Sequence, residues 1–215
     1  MEKKIGIIGS GQVGITLARG FQKHGYDVMI GTNDAEKHAS IMEKINGKIS
    51  IGGFSEVADF SDLLVLAVKG SAAEEALKKT GIKALKGKIV LDATNPIADN
   101  PPTNGVLHFF TTLEESLMER LQELAPKTKF VKCFSCVGNA RMIDPDFGGV
   151  KPTMFIAGND DDAKKVTTDI LTEIGWETED MGKAEGARAI EPLCILWCIP
   201  GMLRGQWSHA FKVLK

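Results

Sequence analysis

The stretch KIGIIGSGQVG, residues 4–14, decides the fold of this 215-residue chain. An apolar run of strand length leads directly into three glycines, Gly9, Gly11 and Gly14, which have the spacing GxGxxG. The segment that follows, ITLARGFQKHG, has helical periodicity and closes at Gly25 before a second apolar run. A strand, a glycine-rich turn and a helix in this order are typical of a dinucleotide-binding unit.

Each glycine of this turn has a mechanical reason. Gly9 allows the tight turn, Gly11 lets a pyrophosphate approach the backbone, and Gly14 lets the helix pack closely against the strand. The phosphates would meet free N–H groups at the positive end of the helix dipole. We therefore expect a bound dinucleotide, and a plain tight turn between a strand and a helix is the alternative.

Apolar runs of strand length alternate with amphipathic helical segments along the chain. The predicted strands are KIGIIG, DVMIG, KISIG, DLLVLAV, KIVLDAT, KFVKCF, TMFIAG and WETEDMG. The predicted helices include ITLARGFQKHG, AEKHASIMEKI, AAEEALKKTG, LEESLMERLQEL and DDDAKKVTTDILTEIG. Strands that are apolar on both faces and separated by helices predict an α/β fold with a doubly wound, mainly parallel sheet. We expect one domain over residues 1–215, with a C-terminal helical extension at 184–215 and a Pro/Asn-rich loop at 98–107 near the ligand edge of the sheet.

Composition argues against several classes of function. The net charge of -2 argues against nucleic acid or a membrane surface as partner. The longest apolar stretch, LCILWCIPGML at 193–203, is too short to cross a bilayer. Four cysteines without a dense framework suit a reducing cytoplasm. We expect a cytoplasmic protein that acts on a small molecule or a cofactor, and a homodimer in which the apolar C-terminal segment packs against the sheet or a second subunit.

The stretch IGTNDAEK, which ends the second predicted strand, indicates which dinucleotide to expect. In NAD-selective sites an acid about 20 residues past the glycines binds the ribose hydroxyls, and Asp34 lies at that distance. The strand register instead puts Thr32 at the strand tip and makes Asp34 the N-cap of the next helix. Thr32 and Asn33 can donate hydrogen bonds to a 2′-phosphate, and Lys37 can supply charge. We therefore expect NADP(H).

Six motifs together resemble the F-420-dependent NADP oxidoreductases and their bacterial relatives. They are IGIIGSGQVG, GTNDAEK, DATNP, KCFSCVGN, FGGVKPTMFIAGNDD and ARAIEPL, and they cover nearly the whole chain. The resemblance implies a Rossmann-type fold, NADP(H) bound across the strand ends, and hydride transfer at the nicotinamide. The expected redox partner is planar, either a deazaflavin such as coenzyme F-420 or a flavin. The deazaflavin reductases usually carry Ser-Arg where this chain has Thr32-Asn33.

The resemblance also implies a set of cofactor-binding residues. Those that would hold the pyrophosphate, between Gly9 and Gly14, are Ser10, Gly11, Gln12 and Val13. Those that would face the adenosine 2′-phosphate are Thr32, Asn33 and Lys37. Those that would flank the nicotinamide ribose are Ala67 and Val68, and those that would lie by the nicotinamide are Cys136 and Gly138.

We assign no catalytic residue, because no group of side chains has convincing catalytic spacing. Hydride transfer between two planar rings fits this, since the cofactors then carry the chemistry. Two other functions stay open. One is an NADPH-dependent reductase of a small carbonyl or imine, which usually needs an acid, and the other is a non-enzymatic NADP(H)-binding redox sensor.

The four cysteines invite a zinc or thiol-exchange interpretation. Cys133 and Cys136 form a CxxC motif, and Cys194 and Cys198 are spaced i,i+4 on a predicted helix. Because Cys133 lies within a predicted buried strand, the two thiols of the motif need not face one way. Thioredoxin-like chemistry expects a CxxC motif directly before a helix, and the motif here does not precede one. We expect packing roles for the four cysteines and no metal.

Overall fold

The computed structural model describes residues 3–34, 36–45 and 48–215, with the side chains of residues 37 and 38 outside the description. The described strands form one sheet in the order β3-β2-β1-β4-β5-β6-β7-β8. Their bounds are β1 Lys4–Ile8, β2 Asp27–Gly31, β3 Ile49–Gly52, β4 Leu63–Leu66, β5 Ile89–Asp92, β6 Lys129–Lys132, β7 Thr153–Gly158 and β8 Glu177–Asp180.

Helices connect most of these strands. The described helices are α1 Gln12–Lys23, α2 Lys37–Met42, α3 Phe54–Phe60, α4 Ala73–Thr80, α5 Leu117–Leu124, α6 Asp161–Glu173, α7 Ala187–Ile190 and α8 Leu193–Arg204. Short 3₁₀ turns lie at Gly70–Ala72, Asn139–Arg141 and Ala184–Gly186. No helix was predicted at α3, which is only seven residues long.

The first six strands are parallel. Their order, 3-2-1-4-5-6, is that of doubly wound dinucleotide-binding sheets. β7 runs antiparallel to β6, and β8 runs parallel to β7. The described connection from β6 to β7 holds only the 3₁₀ turn Asn139–Arg141, and without a helical crossover the chain returns antiparallel. The predicted α/β fold, a Rossmann-type doubly wound and mainly parallel sheet with a helical C-terminal part, is confirmed.

Both faces of the sheet are buried. Side chains alternate along β1, so Ile7 joins one apolar cluster with Leu17 and Phe21 of α1. Ile8 joins the cluster on the other face, with Leu64 and Leu77. This covering by helices explains why β1 is an unbroken apolar run in the sequence.

The C-terminal part differs from the prediction of a helical extension over 184–215. α8 ends at Arg204, because Gly205 adopts a left-handed conformation with φ 67°. The chain beyond it is not helical, and the amide of Thr153 donates to the carbonyl of Phe211 at 2.9 Å. These last residues therefore lie against the start of β7.

One helical stretch, Ala184–Arg204, is long and apolar enough by composition to pass as a membrane span. Such a single stretch is weak evidence, because core helices of soluble proteins pass the same test. The stretch contains Glu191, which is 1% exposed and ion-paired with Lys132 of β6. The stretch is therefore fastened to the sheet through a buried charge.

Candidate dinucleotide site

A groove of about 410 Å³ opens at the carboxyl ends of β1, β2 and β4. Several of the predicted cofactor residues line it: Gly9, Ser10, Gly11, Thr32, Asn33, Ala67 and Val68. The carboxyl edge of a parallel sheet is where doubly wound folds bind their ligands. The turn after β1 and the tips of β2 and β4 therefore meet in one place.

The three glycines of the turn have different surroundings. Gly9 has φ 121°, and a Cβ there would lie 2.4 Å from the carbonyl oxygen of Ala67. A Cβ on Gly14 would lie 2.1 Å from the carbonyl oxygen of Gly9. A Cβ on Gly11 would meet no described atom within 4 Å. Gly9 and Gly14 thus serve the packing of the turn, whereas Gly11 faces open space in the groove.

At the tip of β2, Thr32 and Asn33 point into turns of the loop. The Thr32 hydroxyl oxygen accepts from the amide of Asp34 at 3.2 Å. The Asn33 side-chain oxygen accepts from the amide of Phe54 at 3.2 Å, at the start of α3. Because the side-chain oxygen of Asn33 is already engaged, its side-chain NH₂ group is the part that would donate to a phosphate.

Asp34 does not cap α2 as predicted. α2 begins at Lys37, and the Asp34 carboxylate accepts from the amide of Glu36 at 3.1 Å. Thr32 and Asp34 each bond a backbone amide two residues ahead, and such local turns compete with helix. Asp34 also lines the groove. The predicted phosphate contact of the Lys37 side chain lies outside the described part of the structure.

The opposite wall of the groove was missed by the sequence analysis. It comes from the turn after β4 and from one face of α4: Lys69, Ala72, Glu75, Ala76 and Lys79. The spacing of three and four residues was a usable signal, because it places these side chains on one helical face. Lys69 is ion-paired with Asp99 of the loop after β5, so that loop is tied to the rim of the groove.

The segment predicted to lie by the nicotinamide is more enclosed. Cys136 is 4% exposed, and a Cβ on Gly138 would lie 2.6 Å from the indole of Trp197 in α8. The His209 ring stacks on Trp197 with centroids 4.9 Å apart. Neither Cys136 nor Gly138 lines the groove, and nor do Gln12, Val13 and Gly14.

Asn95 and Ser135 are two further polar residues at this end, and no role was predicted for them. The Asn95 amide donates to the carbonyl of Ser135 at 3.0 Å. The Asn95 Oδ1 and the Ser135 Oγ are buried and have no hydrogen-bond partner among the described residues. A Cβ on Gly70 would lie 2.0 Å from the Asn95 carbonyl, so Asn95 joins the turns after β4, β5 and β6.

A buried ion network lies behind these turns. The Lys132 ammonium is 2.7 Å from Asp92 Oδ2 and 2.8 Å from Glu191 Oε1, and it donates to the carbonyl of Thr94 at 2.8 Å. Burial alone would lower the pKa of Lys132, but the two carboxylates outweigh it and raise that pKa. The charged lysine therefore fixes the DATNP turn and α8 relative to β6.

The cysteines are buried free thiols. Burial raises the pKa of Cys133 well above its usual value and the pKa of Cys136 to about 12, so both stay protonated at neutral pH. Cys194 and Cys198 pack with Trp197. Among the described residues no group of three or more His, Cys, Asp or Glu side chains could hold a metal ion.

The residues present fit a dinucleotide. The turn offers the N-terminus of α1 and a glycine whose missing side chain leaves space, and the groove has room along β2 and α4. The buried unpaired oxygens of Asn95 and Ser135 lie at the end predicted for the nicotinamide. The fold and the groove define the class, a dinucleotide-binding protein of the Rossmann type.

Comparisons with known proteins narrow the class. Residues 4–96 match the family described as "NADP oxidoreductase coenzyme F420-dependent". The chain is 27% identical over 201 residues to the F420-dependent NADP reductases of Methanothermobacter marburgensis and Methanocaldococcus jannaschii, covering 88% of this chain and 88% of each relative. The resemblance predicted from the motifs is confirmed, and the chain is related to this family.

Solved structures agree with this relationship. A protein from Arthrobacter sp. FB24, described as a candidate F420-dependent NADP-reductase, superposes with a TM-score of 0.92 at 27% identity, covering 100% of both chains. An imine reductase from Streptomyces aurantiacus has a TM-score of 0.67 at 17% identity, covering 93% of this chain and 63% of that chain. The second likeness is one of fold alone.

Proposed function

We propose that the protein is an NADP(H)-dependent oxidoreductase that transfers a hydride between the nicotinamide and the deazaflavin coenzyme F-420. The observation that carries this is the glycine turn after β1, with Gly11 facing an open groove, in a chain whose residues 4–96 match the family. Three relatives that match over most of both chains are named as F420-dependent NADP reductases.

The side chains have distinct tasks in this proposal. Ser10 and the first amides of α1 would bind the pyrophosphate, and Thr32 and Asn33 would bind the adenosine 2′-phosphate. Ala67 and Val68 would flank the nicotinamide ribose. NADP(H) supplies the hydride chemistry at the nicotinamide when it is bound. The protein contributes alignment and the exclusion of water, and the link from Asn95 to Ser135 holds the turns together for this purpose.

The position of the acids favours transfer between two rings. Of the residues that line the groove, Asp34 and Glu75 are the acids, and Asp34 follows the strand tip predicted for the adenosine 2′-phosphate. The two residues predicted to lie by the nicotinamide, Cys136 and Gly138, carry no carboxyl group. Reduction of a carbonyl or imine usually needs a proton donor beside the reacting atom. A hydride that passes directly between nicotinamide and deazaflavin needs no such side chain.

An acceptor screen tests the proposal. NADPH oxidation would be followed with a deazaflavin, FMN, a quinone, a ferric chelate and a cyclic imine in parallel. We expect turnover with the deazaflavin, and a kinetic isotope effect with NADPH deuterated at the transferred position. Turnover with the imine alone would indicate the carbonyl or imine reductase, and nucleotide binding without any turnover would indicate a sensor.

We also propose that the protein is a cytoplasmic homodimer. Exposed apolar side chains on and after α8 support a subunit interface there: Leu196, Met202, Leu203 and Trp207. Four free cysteines fit a reducing compartment. Sedimentation equilibrium of the protein and of Leu203→Glu tests the assembly, and an unchanged monomer mass for both would refute it.

A further inference from the structure

We infer that Lys79, on the α4 wall of the groove, supplies a cation that selects the adenosine 2′-phosphate, in addition to the charge predicted from Lys37. Lys79 would then be a specificity-determining residue for NADP(H) over NAD(H). The inference rests on the proposed use of NADP(H). It adds a residue from α4 to the phosphate contacts that the tip of β2 was predicted to provide.

A phosphate bound in the groove needs a cation beside it. A 2′-phosphate carries about two negative charges at neutral pH. The groove already holds the carboxyl group of Glu75. Because like charges within one groove repel each other, bound phosphate requires a compensating cation. The arginine that deazaflavin reductases usually carry beside the strand tip is Asn33 here.

Lys79 lines the groove and can provide such a cation. Among the described side chains that line the groove, the lysines are Lys69 and Lys79. Lys69 is engaged with Asp99 at the rim. The Lys79 ammonium is 3.7 Å from Glu75 Oε1, longer than an ordinary hydrogen bond, and its side chain is 54% exposed. Such an exposed pair is weak, so Lys79 can exchange Glu75 for a stronger anion.

The packing of α4 keeps Lys79 at the groove. Lys79 shares its helical face with Ala72 and Ala76, whose small side chains leave the groove open beside it. α4 packs against α3, and the amide of Phe54 at the start of α3 donates to Asn33. The two walls are therefore held together by packing and by a hydrogen bond, which keeps Lys79 across the groove from the strand tip.

The test measures binding of the adenosine half alone. Calorimetric affinities for adenosine 2′,5′-bisphosphate and for AMP would be compared in the full-length protein, Lys79→Gln and Glu75→Gln. We expect Lys79→Gln to weaken bisphosphate binding roughly tenfold and AMP binding less than twofold, with a smaller salt dependence. Glu75→Gln removes a competing carboxylate and is expected to strengthen bisphosphate binding severalfold.

Matched controls exist on the same helix. Lys78→Gln and Glu74→Gln remove the same charges from exposed positions that do not line the groove. Equal effects of Lys79→Gln and Lys78→Gln on bisphosphate binding would overturn the role of Lys79 and leave the proposed function intact. An equal loss for both ligands would also overturn it, because Lys79 would then contact the shared adenosine. A wild-type protein that binds AMP as tightly as the bisphosphate would overturn both the inference and the proposed NADP(H) selection.

Discussion

The ammonium of Lys132 lies 2.8 Å from a carboxylate oxygen of Glu191, and both side chains are buried. Glu191 also accepts from the amides of Leu117 and Met118 at the start of α5. One carboxylate therefore joins β6, α5 and the junction of α7 with α8. The sequence alone did not distinguish a buried Glu191 from one that faces substrate, and the structure places it in the interior.

Glu191→Ala is expected to destabilise the protein by about 3–5 kcal/mol, because it leaves a buried ammonium with one partner fewer and two helix amides without an acceptor. Urea unfolding followed by tryptophan fluorescence measures the change. Glu185→Ala, at an exposed position of the same C-terminal segment, is the control and is expected to cost less than about 0.5 kcal/mol. A loss below about 1 kcal/mol for Glu191→Ala would contradict the role of this carboxylate.

Gly11→Ala and Gly14→Ala should separate binding from folding. Gly11 has φ -72° and an open Cβ position, so alanine is expected to cost less than about 1 kcal/mol of stability. Its methyl group would obstruct the approach of the pyrophosphate, and we expect NADPH binding to weaken at least roughly tenfold. Gly14→Ala would place a methyl group 2.1 Å from a backbone oxygen, so we expect a large loss of stability.

Thermal unfolding and NADPH titration check this pair. The two variants should show opposite defects. Gly11→Ala should be folded and bind NADPH weakly, whereas Gly14→Ala should be poorly folded. If Gly11→Ala binds NADPH as tightly as the wild-type protein, the pyrophosphate does not approach this glycine.

Arg188→Gln should make the free energy of unfolding less dependent on pH in the acid range. Burial alone would raise the pKa of Glu119, but hydrogen bonds from Arg188 and Ser116 outweigh it and hold that pKa at about 2. The pKa of a glutamate in an unfolded chain is about 4.3. Between pH 2 and this value the folded protein therefore binds fewer protons at Glu119 than the unfolded chain does. The stabilisation by Glu119 is therefore present above the unfolded pKa and is lost as pH falls toward 2.

The free energy of unfolding, measured from pH 7 to pH 2, tests this. We expect Arg188→Gln to lower the free energy of unfolding modestly at pH 7, since the arginine is partly exposed and its charge is screened, and to change it little near pH 2. Arg204→Gln removes an exposed arginine that donates to Gln206, and its curve should run parallel to that of the wild type. A pH-independent cost for Arg188→Gln would mean that Arg188 acts through packing.

Most strands were predictable because they are short apolar runs covered on both faces, as β1 shows. β8 differs, since its sequence is ETED and none of its four residues is fully buried. α3 was not predicted, since FSEVADF offers only two turns of helical pattern after Gly53. The end of α8 at Arg204 was also not predicted, because the left-handed Gly205 that ends it lies in a segment rich in apolar residues.

The first wall of the site was predictable and the second was not. The glycine turn and the strand tip are local features, so their meeting follows from the parallel sheet. The helical spacing places Glu75 and Lys79 on one face of α4. That this face lines the groove depends on the packing of α4 beside α3, which no local pattern encodes. The ion pairs of Lys132 were likewise not predictable from the sequence. Lys132 is a polar residue at the end of a strand, and its partners Asp92 and Glu191 are far from it in the sequence.

Asn33→Arg should strengthen the selection of NADPH. A guanidinium at the strand tip can bind a phosphate with two parallel hydrogen bonds, and we expect NADPH affinity to rise roughly tenfold while NADH affinity changes little. The substitution removes the oxygen that accepts from the amide of Phe54, so we expect a loss of about 1 kcal/mol of stability. Asn33→Ala is the control, with the same loss of stability and no gain in affinity.

Combining Asn33→Arg with Lys79→Gln asks whether the two walls reach the same phosphate. If they do, the new arginine takes over part of the task of Lys79, and the loss caused by Lys79→Gln shrinks in the Asn33→Arg background. Calorimetric titration of the four proteins with NADPH measures this coupling. Strictly additive effects would place the two side chains on separate parts of the nucleotide, because independent sites do not change each other's contribution.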